Sequence, residues 1–303
     1  MYQQWILLSL LSAVFLGLYD LAKKSAAKGN AVPVVLLLNV ATAAAIYVPI
    51  LLLSTWSPQL LVDTPFIVES VSLSVHLLLF VKSVLVGASW TLALFGLKHL
   101  PLSIATPIRS TSPLWTTLVA VVLLGERPAG LQWLGMLVIM FAFLFFSQAG
   151  KLEGIIFSQN PWVGCMIAAT LLGSLSALYD KYLLQTAAIS PATVQAWFSI
   201  YLVPVMFPLA YRWYKQDRFN QPFQWRWSIP TIAIMLLIAD FLYFTAVSDP
   251  QALISVVSPV RRTSVIIPFI FGIVVLSEKS WKRKAISIAL MLLGVAMVSY
   301  KAN

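Results

Sequence analysis

The sequence predicts an all-α membrane protein with ten transmembrane helices arranged as two inverted five-helix repeats. Three observations support this fold class. Of the 303 residues, 60% are hydrophobic and only 10% are charged, which leaves too little polar surface to cover a water-soluble globule. The apolar residues are grouped in runs of about 20 residues, the length that crosses a bilayer as a helix. Two of these runs are related in sequence, which indicates an internal duplication.

Ten apolar runs are long enough to span a membrane as helices. In chain order they lie at residues 4–22, 32–53, 70–97, 100–124, 129–148, 161–185, 192–211, 228–247, 251–276 and 281–300. The first run is predicted to be a true span, because the residues before it carry no positive charge and no small-residue cleavage site follows. Short loops between the runs predict that neighbouring helices are antiparallel.

The duplication is clearest in the fourth and ninth runs. Residues Pro107–Glu126 and Pro259–Glu278 align at an offset of 152, with 7 identities in 20 positions. A second echo lies upstream, where Gly17–Asp20 recurs as Ala177–Asp180. Duplicated bundles with charged residues and prolines in their spans are typical of secondary transporters, in which the substrate site lies between the repeats.

Each predicted repeat is one five-helix domain, the first covering residues 1–148 and the second residues 149–303. Because five is an odd number, the second repeat enters the membrane from the opposite side, so the repeats are inverted. Of the 20 Lys and Arg residues, 13 lie in loops that follow odd-numbered spans and 3 lie on the other side. By the positive-inside rule this count places both termini outside the cytoplasm.

Charged residues inside the predicted spans are the main candidates for a functional site. Burying an ionised side chain in mid-membrane costs a few kcal/mol, so such residues face a cavity or a partner. Four basic residues, Lys82, Arg109, Arg261 and Arg262, lie inside spans, against one acid, Asp240. This positive surplus predicts a binding site for an anionic substrate, because guanidinium groups bind carboxylate or phosphate groups in a bidentate manner.

Structural roles are the alternative for several of these residues. One of the two adjacent arginines can instead pair with Asp240, and Arg109 can extend its charge toward the membrane surface. Trp90 and Tyr243 are predicted to shape the substrate pocket, with ordinary packing inside the membrane as the alternative.

Three acids are candidates for carrying a coupling proton. Asp20 and Asp180 recur at equivalent positions of the two repeats, and Asp240 lies inside a span. For the first two the alternative is an ion pair at a helix end with the lysines that follow them, such as Lys181. Glu126 is expected near the N-terminus of the fifth span, where negative charge meets the positive end of the helix dipole.

Prolines predict kinks in the two duplicated spans. Pro107 and Pro113 lie in the fourth run, and Pro259 and Pro268 lie in the ninth. Each removes a backbone hydrogen bond from its helix. We expect the kinked helices, which also bear the arginines, to line a cavity.

The duplicated spans end in Leu124-Gly125-Glu126 and Leu276-Ser277-Glu278. Together with ten spans in two five-helix halves, this pattern resembles the drug/metabolite transporter (DMT) superfamily, in particular its EamA-type members, over nearly the whole chain. The resemblance implies alternating-access transport of a metabolite. The Arg261-Arg262 pair is similar to the adjacent basic residues in the penultimate helix of plastid phosphate translocators, which implies contact with an anionic group. The resemblance to the DMT superfamily also implies that both termini lie in the cytoplasm. The distribution of Lys and Arg places them on the opposite side, so the orientation stays open.

The sequence therefore predicts a secondary active transporter that moves a small anionic metabolite across the inner (plasma) membrane, as a monomer or a homodimer. Coupling to protons and exchange both remain open, and no ATP-binding motif is present. One alternative is a carrier of neutral or amphiphilic metabolites such as amino acids or sugars. The alternative from a different class is a membrane-embedded enzyme acting on a lipid.

The composition argues against other classes of protein. The basic residues form no continuous basic face, so nucleic acid is not a predicted partner. With a single cysteine, Cys165, and two histidines, His76 and His99, the sequence lacks the usual ligand patterns for a metal. No cofactor, metal site or catalytic residue is predicted, and the protein is not predicted to be an enzyme.

Overall fold

The structure, a computed structural model, describes residues 4–27, 29–99, 108–109, 111–147, 160–267, 270–271 and 281–300. Throughout these residues the regular secondary structure is helical and includes no β-strand, which agrees with the predicted all-α class. The first half contains α1 (Gln4–Ala27), α2 (Val32–Trp56), α3 (Leu73–His99), α4 (Ser112–Leu124) and α5 (Gly130–Ser147). The second half contains α6 (Pro161–Lys181), α7 (Pro191–Gln216), α8 (Ser228–Ser248), α9 (Ile254–Arg262) and α10 (Trp281–Ser299).

Six of the described helices, α1 to α3 and α6 to α8, are long and apolar enough to cross a membrane. Shorter apolar helices lie within α4, α5 and α10, and α9 is followed directly by a 3₁₀ turn at Thr263–Val265. The predicted runs at 100–124 and 251–276 extend into residues outside the described part. Their full length as spans therefore stays a prediction.

The ends of α6 show how local sequence sets a helix boundary. The Asn160 side chain accepts a hydrogen bond from the Trp162 amide at 2.9 Å, and Pro161 occupies the first turn. Proline is well suited there because a first-turn amide has no helical partner. At its other end the helix does not stop at Lys181 but continues through a π turn at Tyr182–Thr186.

Contacts between loops define two ends of the bundle. At one end, called here the Glu126 end, segments 125–129, 182–190 and 249–253 lie together. At the other, called the Asn30 end, segments 25–31 and 217–226 lie together. The 21 residues of α8 connect the two ends, which places them about 30 Å apart at about 1.5 Å per residue.

Helix packing follows a symmetric pattern. α1 packs against α8 and α3 packs against α6, while α2 meets α7, α4 meets α9 and α5 meets α10. If each helix is exchanged for the helix five positions away in chain order, the first contact becomes the second and the other three map onto themselves. A two-fold axis between two repeats would produce this pattern.

The α5 and α10 helices approach each other closely at two glycines. A Cβ atom added to Gly135 would lie 2.8 Å from the backbone oxygen of Gly294, and one added to Gly294 would lie 2.8 Å from the oxygen of Gly135. Small residues allow the backbones of membrane helices to touch in this way. We infer that this contact requires glycine at both positions.

The prolines act differently from one another. Pro113 lies in the first turn of α4, where it begins the helix instead of kinking its interior as predicted, because a first-turn amide needs no partner. Pro259 lies inside α9 and leaves the Ser255 carbonyl without its usual donor. The Thr117 hydroxyl donates to that carbonyl at 3.4 Å. Pro107 and Pro268 lie outside the described residues.

Candidate functional site

A cavity of about 310 Å³ lies between the two halves of the protein, with wall residues from α1 to α4 and α6 to α9. The structure brings all the sequence-predicted site residues to this wall: Asp20, Lys82, Trp90, Arg109, Asp180, Asp240, Tyr243, Arg261 and Arg262. These residues come from both halves of the chain. A single cavity therefore combines charges that lie in six separate segments of the sequence.

The part of the cavity wall nearest the Asn30 end, called here the mouth, includes exposed charged residues. Asp20, near the end of α1, and Arg109, just before α4, are exposed. Lys82 and Asp180 are only 2% and 5% exposed. The wall thus runs from a solvent-accessible mouth to a buried floor, and the predicted site residues occupy both levels.

Lys82 and Asp180 form a buried ion pair at the floor of the cavity. The Lys82 ammonium donates to the Asp180 carboxylate and lies 4.5 Å from the ring centre of Phe198 and 4.9 Å from that of Phe244. Both the carboxylate and the ring faces stabilise the cation in its buried position. The alternative pairing of Asp180 with the adjacent Lys181 is wrong, because consecutive helical residues point in different directions.

A second ion pair joins α8 to α9. One guanidinium nitrogen of Arg261 donates to the Asp240 carboxylate at 2.6 Å, and its Nε donates to the Ser12 hydroxyl at 3.0 Å. The same guanidinium lies 4.1 Å from the ring centre of Tyr243. Arg261 is therefore held by a carboxylate, a hydroxyl and an aromatic face, as expected for the arginine that pairs with Asp240.

Arg262 has different surroundings. Its guanidinium donates to the Ser112 hydroxyl at 3.2 Å, and that hydroxyl also lies 3.2 Å from the hydroxyl of Ser174. Among the described residues, no carboxylate lies within salt-bridge distance of Arg262. Neutral hydroxyls satisfy only part of the hydrogen-bonding capacity of a guanidinium, which has five N–H donors.

The cavity wall has a net positive charge. Its basic side chains are Lys23, Lys82, Arg109, Arg261 and Arg262, and its acidic side chains are Asp20, Asp180 and Asp240. Two of the acids are engaged in the ion pairs described above. The third, Asp20, interacts electrostatically with three cations, Lys23, Arg109 and Arg262. An additional negative charge in the cavity would therefore lie beside cations that outnumber the nearby acids.

The predicted aromatic residues occupy distinct positions. Trp90 is partly buried, packs against the main hydrophobic core and lines the cavity. Tyr243 is 4% exposed, contacts the Phe244 ring at 5.4 Å and supports the Arg261 guanidinium. Tyr243 is thus a supporting residue beneath Arg261, whereas Trp90 contributes an apolar part of the wall.

The sequence of the chain matches a family of known proteins twice. The model of the EamA-like transporter family matches residues 3–148 and again residues 160–300. The protein belongs to the EamA-like transporter family. This family is part of the DMT superfamily, so the resemblance drawn from the duplicated spans is confirmed. The two matched segments correspond to the two halves of the fold described above.

The fold of this EamA-family protein is shared with a solved structure. A crystal structure of a protein matches it with a TM-score of 0.75 over 99% of this chain and 97% of that chain, at 15% sequence identity. At this identity the match shows the fold alone. No curated protein matches the chain at a significant level.

Two hydroxyl residues of the site were missed by sequence reasoning. Ser112 and Ser174 bridge α4 and α6 beside the Arg262 guanidinium. A signal for Ser112 was present in the duplication, because Ser112 and Ser264 are equivalent in the two repeats and both line the cavity. No pattern in the sequence singles out Ser174, since its importance depends on how closely α4 packs against α6.

Glu126 contacts a different helix from the one expected. Gly125 ends α4 in the left-handed conformation, with φ of 64°, which residues other than glycine rarely adopt. The chain then turns so that the Glu126 carboxylate accepts from the backbone amides of Ile254 and Ser255 at 2.8 and 3.1 Å. The acid therefore caps α9, not α5. Its counterpart Glu278 lies outside the described residues.

Proposed function

We propose that this EamA-family protein is a secondary active transporter that moves a small anionic metabolite by alternating access. The observation that best supports an anionic substrate is the Arg262 guanidinium. It faces the cavity, and no carboxylate of the described residues lies within salt-bridge distance of it. A carboxylate or phosphate group placed beside it would form charge-assisted hydrogen bonds that the neutral Ser112 hydroxyl cannot match.

The proposal assigns different roles to the basic residues. Arg262 binds the anionic group of the substrate, and Arg109 at the cavity mouth attracts it electrostatically. Arg261 is already neutralised by Asp240, so it shapes the substrate site as a second basic residue of the same cavity wall. Lys82 with its partner Asp180 forms the floor, while Trp90 and Tyr243 bound the pocket.

The symmetric helix packing and the two matches to the family model support the other parts of the proposal. In this proposal, residues 1–148 and 149–303 are inverted five-helix repeats that together form ten transmembrane helices. Rocking of one repeat against the other would expose the central cavity to alternate sides of the membrane. We place the protein in the inner (plasma) membrane, as a monomer or a homodimer.

Coupling by a proton fits Asp20 best among the three acids proposed for this role. Asp180 and Asp240 are engaged in ion pairs, whereas Asp20 is exposed at the mouth and forms no salt bridge with any described residue. A carboxylate that exchanges protons with solvent must remain accessible to water. Exchange of one metabolite for another, without proton movement, is the other form of coupling.

A thermal-shift screen of the detergent-solubilised protein against matched anionic, neutral and cationic metabolites tests the proposal. A ligand at 100 times its Kd stabilises the folded state by about 2.7 kcal/mol, which is a measurable rise in Tm. We expect stabilisation by carboxylates or phosphates and at least about tenfold weaker binding by Arg262→Gln, or about 1.4 kcal/mol. Any compound that binds is then tested for counterflow in liposomes.

Arg127→Gln serves as the matched control, because Arg127 is exposed and lies outside the cavity wall. It should bind the same anions as the parent. Stabilisation by neutral or cationic compounds only would favour the carrier of amino acids or sugars and would assign the arginines to structure. Chemical conversion of a lipid without any counterflow would favour the membrane-embedded enzyme.

A further inference from the structure

The Glu126 carboxylate is buried at the Glu126 end of the bundle, outside the cavity wall, and all its contacts are with other elements. It accepts hydrogen bonds from the Ile254 and Ser255 amides at 2.8 and 3.1 Å and from the Ser255 hydroxyl. It also pairs with the Lys181 ammonium at 2.6 Å. A charge that is 5% exposed is thus stabilised by the positive end of α9 and by a cation.

Lys181 and Gln185 extend these contacts across the same end. Lys181 also donates to the Ala252 carbonyl at 3.2 Å. The Gln185 amide donates to the carbonyls of Val247 and Asp249, both at 2.7 Å. These bonds fasten the end of α6 to the loop between α8 and α9. The network therefore joins the turn between α4 and α5 in the first half to α6, α8 and α9 in the second half.

The position of this network relates it to the cavity. Asp180 and Ser258 line the cavity, and they lie one residue before Lys181 and three residues after Ser255. The network is therefore within one helical turn of the cavity wall, on the side away from the mouth near the Asn30 end. A path from the cavity to the Glu126 end between α4, α6 and α9 would have to separate elements that the network connects.

We propose that Glu126, Lys181, Gln185 and Ser255, here called the Glu126 latch, close the cavity at the Glu126 end and open in each transport cycle. This inference rests on the proposed transport function. The latch joins the two halves, which are the units that move in alternating access. Few polar contacts are involved, so loss of one charge shifts the balance between the closed and open states of this end.

Cysteine accessibility tests the latch without any substrate. In a Cys165→Ser background, Ser258→Cys places one thiol on the cavity wall, and a membrane-impermeant thiol reagent is added to vesicles sealed in either orientation. The parent should react only from the Asn30 face. With Glu126→Gln or Lys181→Met we expect the reaction from the Glu126 face to be at least about tenfold faster, equivalent to about 1.4 kcal/mol.

Three further variants serve as controls. Lys181→Arg keeps the ion pair and should behave like the parent. Asp63→Asn removes an exposed acid from a loop at the same end and should also leave the labelling unchanged. Ser255→Ala removes one hydroxyl but neither charge, so a smaller rise is expected, and it tests the latch even where a charge variant does not fold.

The outcomes separate the latch from the proposed function. Labelling from the Glu126 face that stays at the parent rate in every folded latch variant would overturn the latch. Faster labelling in the latch variants, together with no counterflow of any anion, would keep the latch and reject the proposed substrate class. Counterflow of an anion, together with unchanged labelling in the latch variants, would support the proposed substrate class and overturn the latch.

Discussion

Arg261 and Arg262 are adjacent in the sequence but have different partners. Side chains of consecutive helical residues point about 100° apart, so Arg261 reaches Asp240 on α8 whereas Arg262 reaches Ser112 on α4. One guanidinium is neutralised by a carboxylate. The other donates a hydrogen bond only to a hydroxyl among the described residues, and this difference is the basis for the separate roles proposed for the two arginines.

The ion pair at the cavity floor can be tested by removing its charges singly and together. Lys82→Met leaves the Asp180 carboxylate buried without its partner, so we expect a loss in the free energy of unfolding of about 3–5 kcal/mol. Lys82→Met combined with Asp180→Asn removes both charges and should recover most of that loss. Thermal unfolding of the purified protein in detergent measures both effects. A double variant that is less stable than either single variant would contradict this reading.

The helical elements differ in how they meet their neighbours. Long helices such as α1 and α8 pack along their length, whereas α5 and α10 depend on one point of close backbone contact at Gly135 and Gly294. Close packing of this kind is sensitive to a single methyl group, because neither backbone can move without losing the contact. At such a contact, small residues determine how closely two helices approach each other.

Gly135→Ala is expected to destabilise the protein, because its Cβ would lie 2.8 Å from the Gly294 carbonyl oxygen. Overpacking of this type costs about 1–3 kcal/mol. Gly164→Ala in α6 is the matched control, since its added Cβ would meet no atom within 4 Å, and alanine favours a helix over glycine by up to about 1 kcal/mol. Thermal unfolding of the two variants should thus shift in opposite directions. Equal shifts would argue against a constrained contact between α5 and α10.

At the scale of the whole molecule, helix packing is symmetric between the halves while the chemistry of the halves is not. Equivalent helices make equivalent contacts, but Lys82 and Arg262 have different residues at their counterpart positions in the duplication. Symmetric packing suits two halves that exchange positions during a cycle. In the proposed transporter, asymmetric side chains would let one cavity bind its substrate in a defined orientation.

Inverted topology makes a direct prediction about exposed loops. Asp63 lies in the loop between α2 and α3, and Asn220 lies in the equivalent loop between α7 and α8, and both are exposed. In a Cys165→Ser background, we expect Asp63→Cys and Asn220→Cys to react with an impermeant thiol reagent from opposite faces of the membrane. Reaction from the same face would exclude inverted repeats. The face on which each reacts also decides between the charge count and the family expectation for the termini.

Several features of the candidate site could be predicted from the sequence because they depend on the cost of charge in a membrane. Lys82, Arg109, Arg261 and Arg262 lie in apolar runs, and such residues require a cavity or a partner. The structure brings all four to one cavity wall. Which arginine pairs with Asp240, and which hydroxyls surround the other, depends on helix rotation, and the sequence left that choice open.

The sequence by itself determined the all-helical class, the membership in a transporter family and the set of charged residues that had to be sheltered from lipid. Composition and repetition act along the chain, so they can be recognised without coordinates. Only the tertiary structure decided that Asp180 binds Lys82, that Glu126 caps α9 and that Ser112 lies beside Arg262. Those contacts join residues from distant parts of the chain, and their geometry depends on how the helices pack against one another.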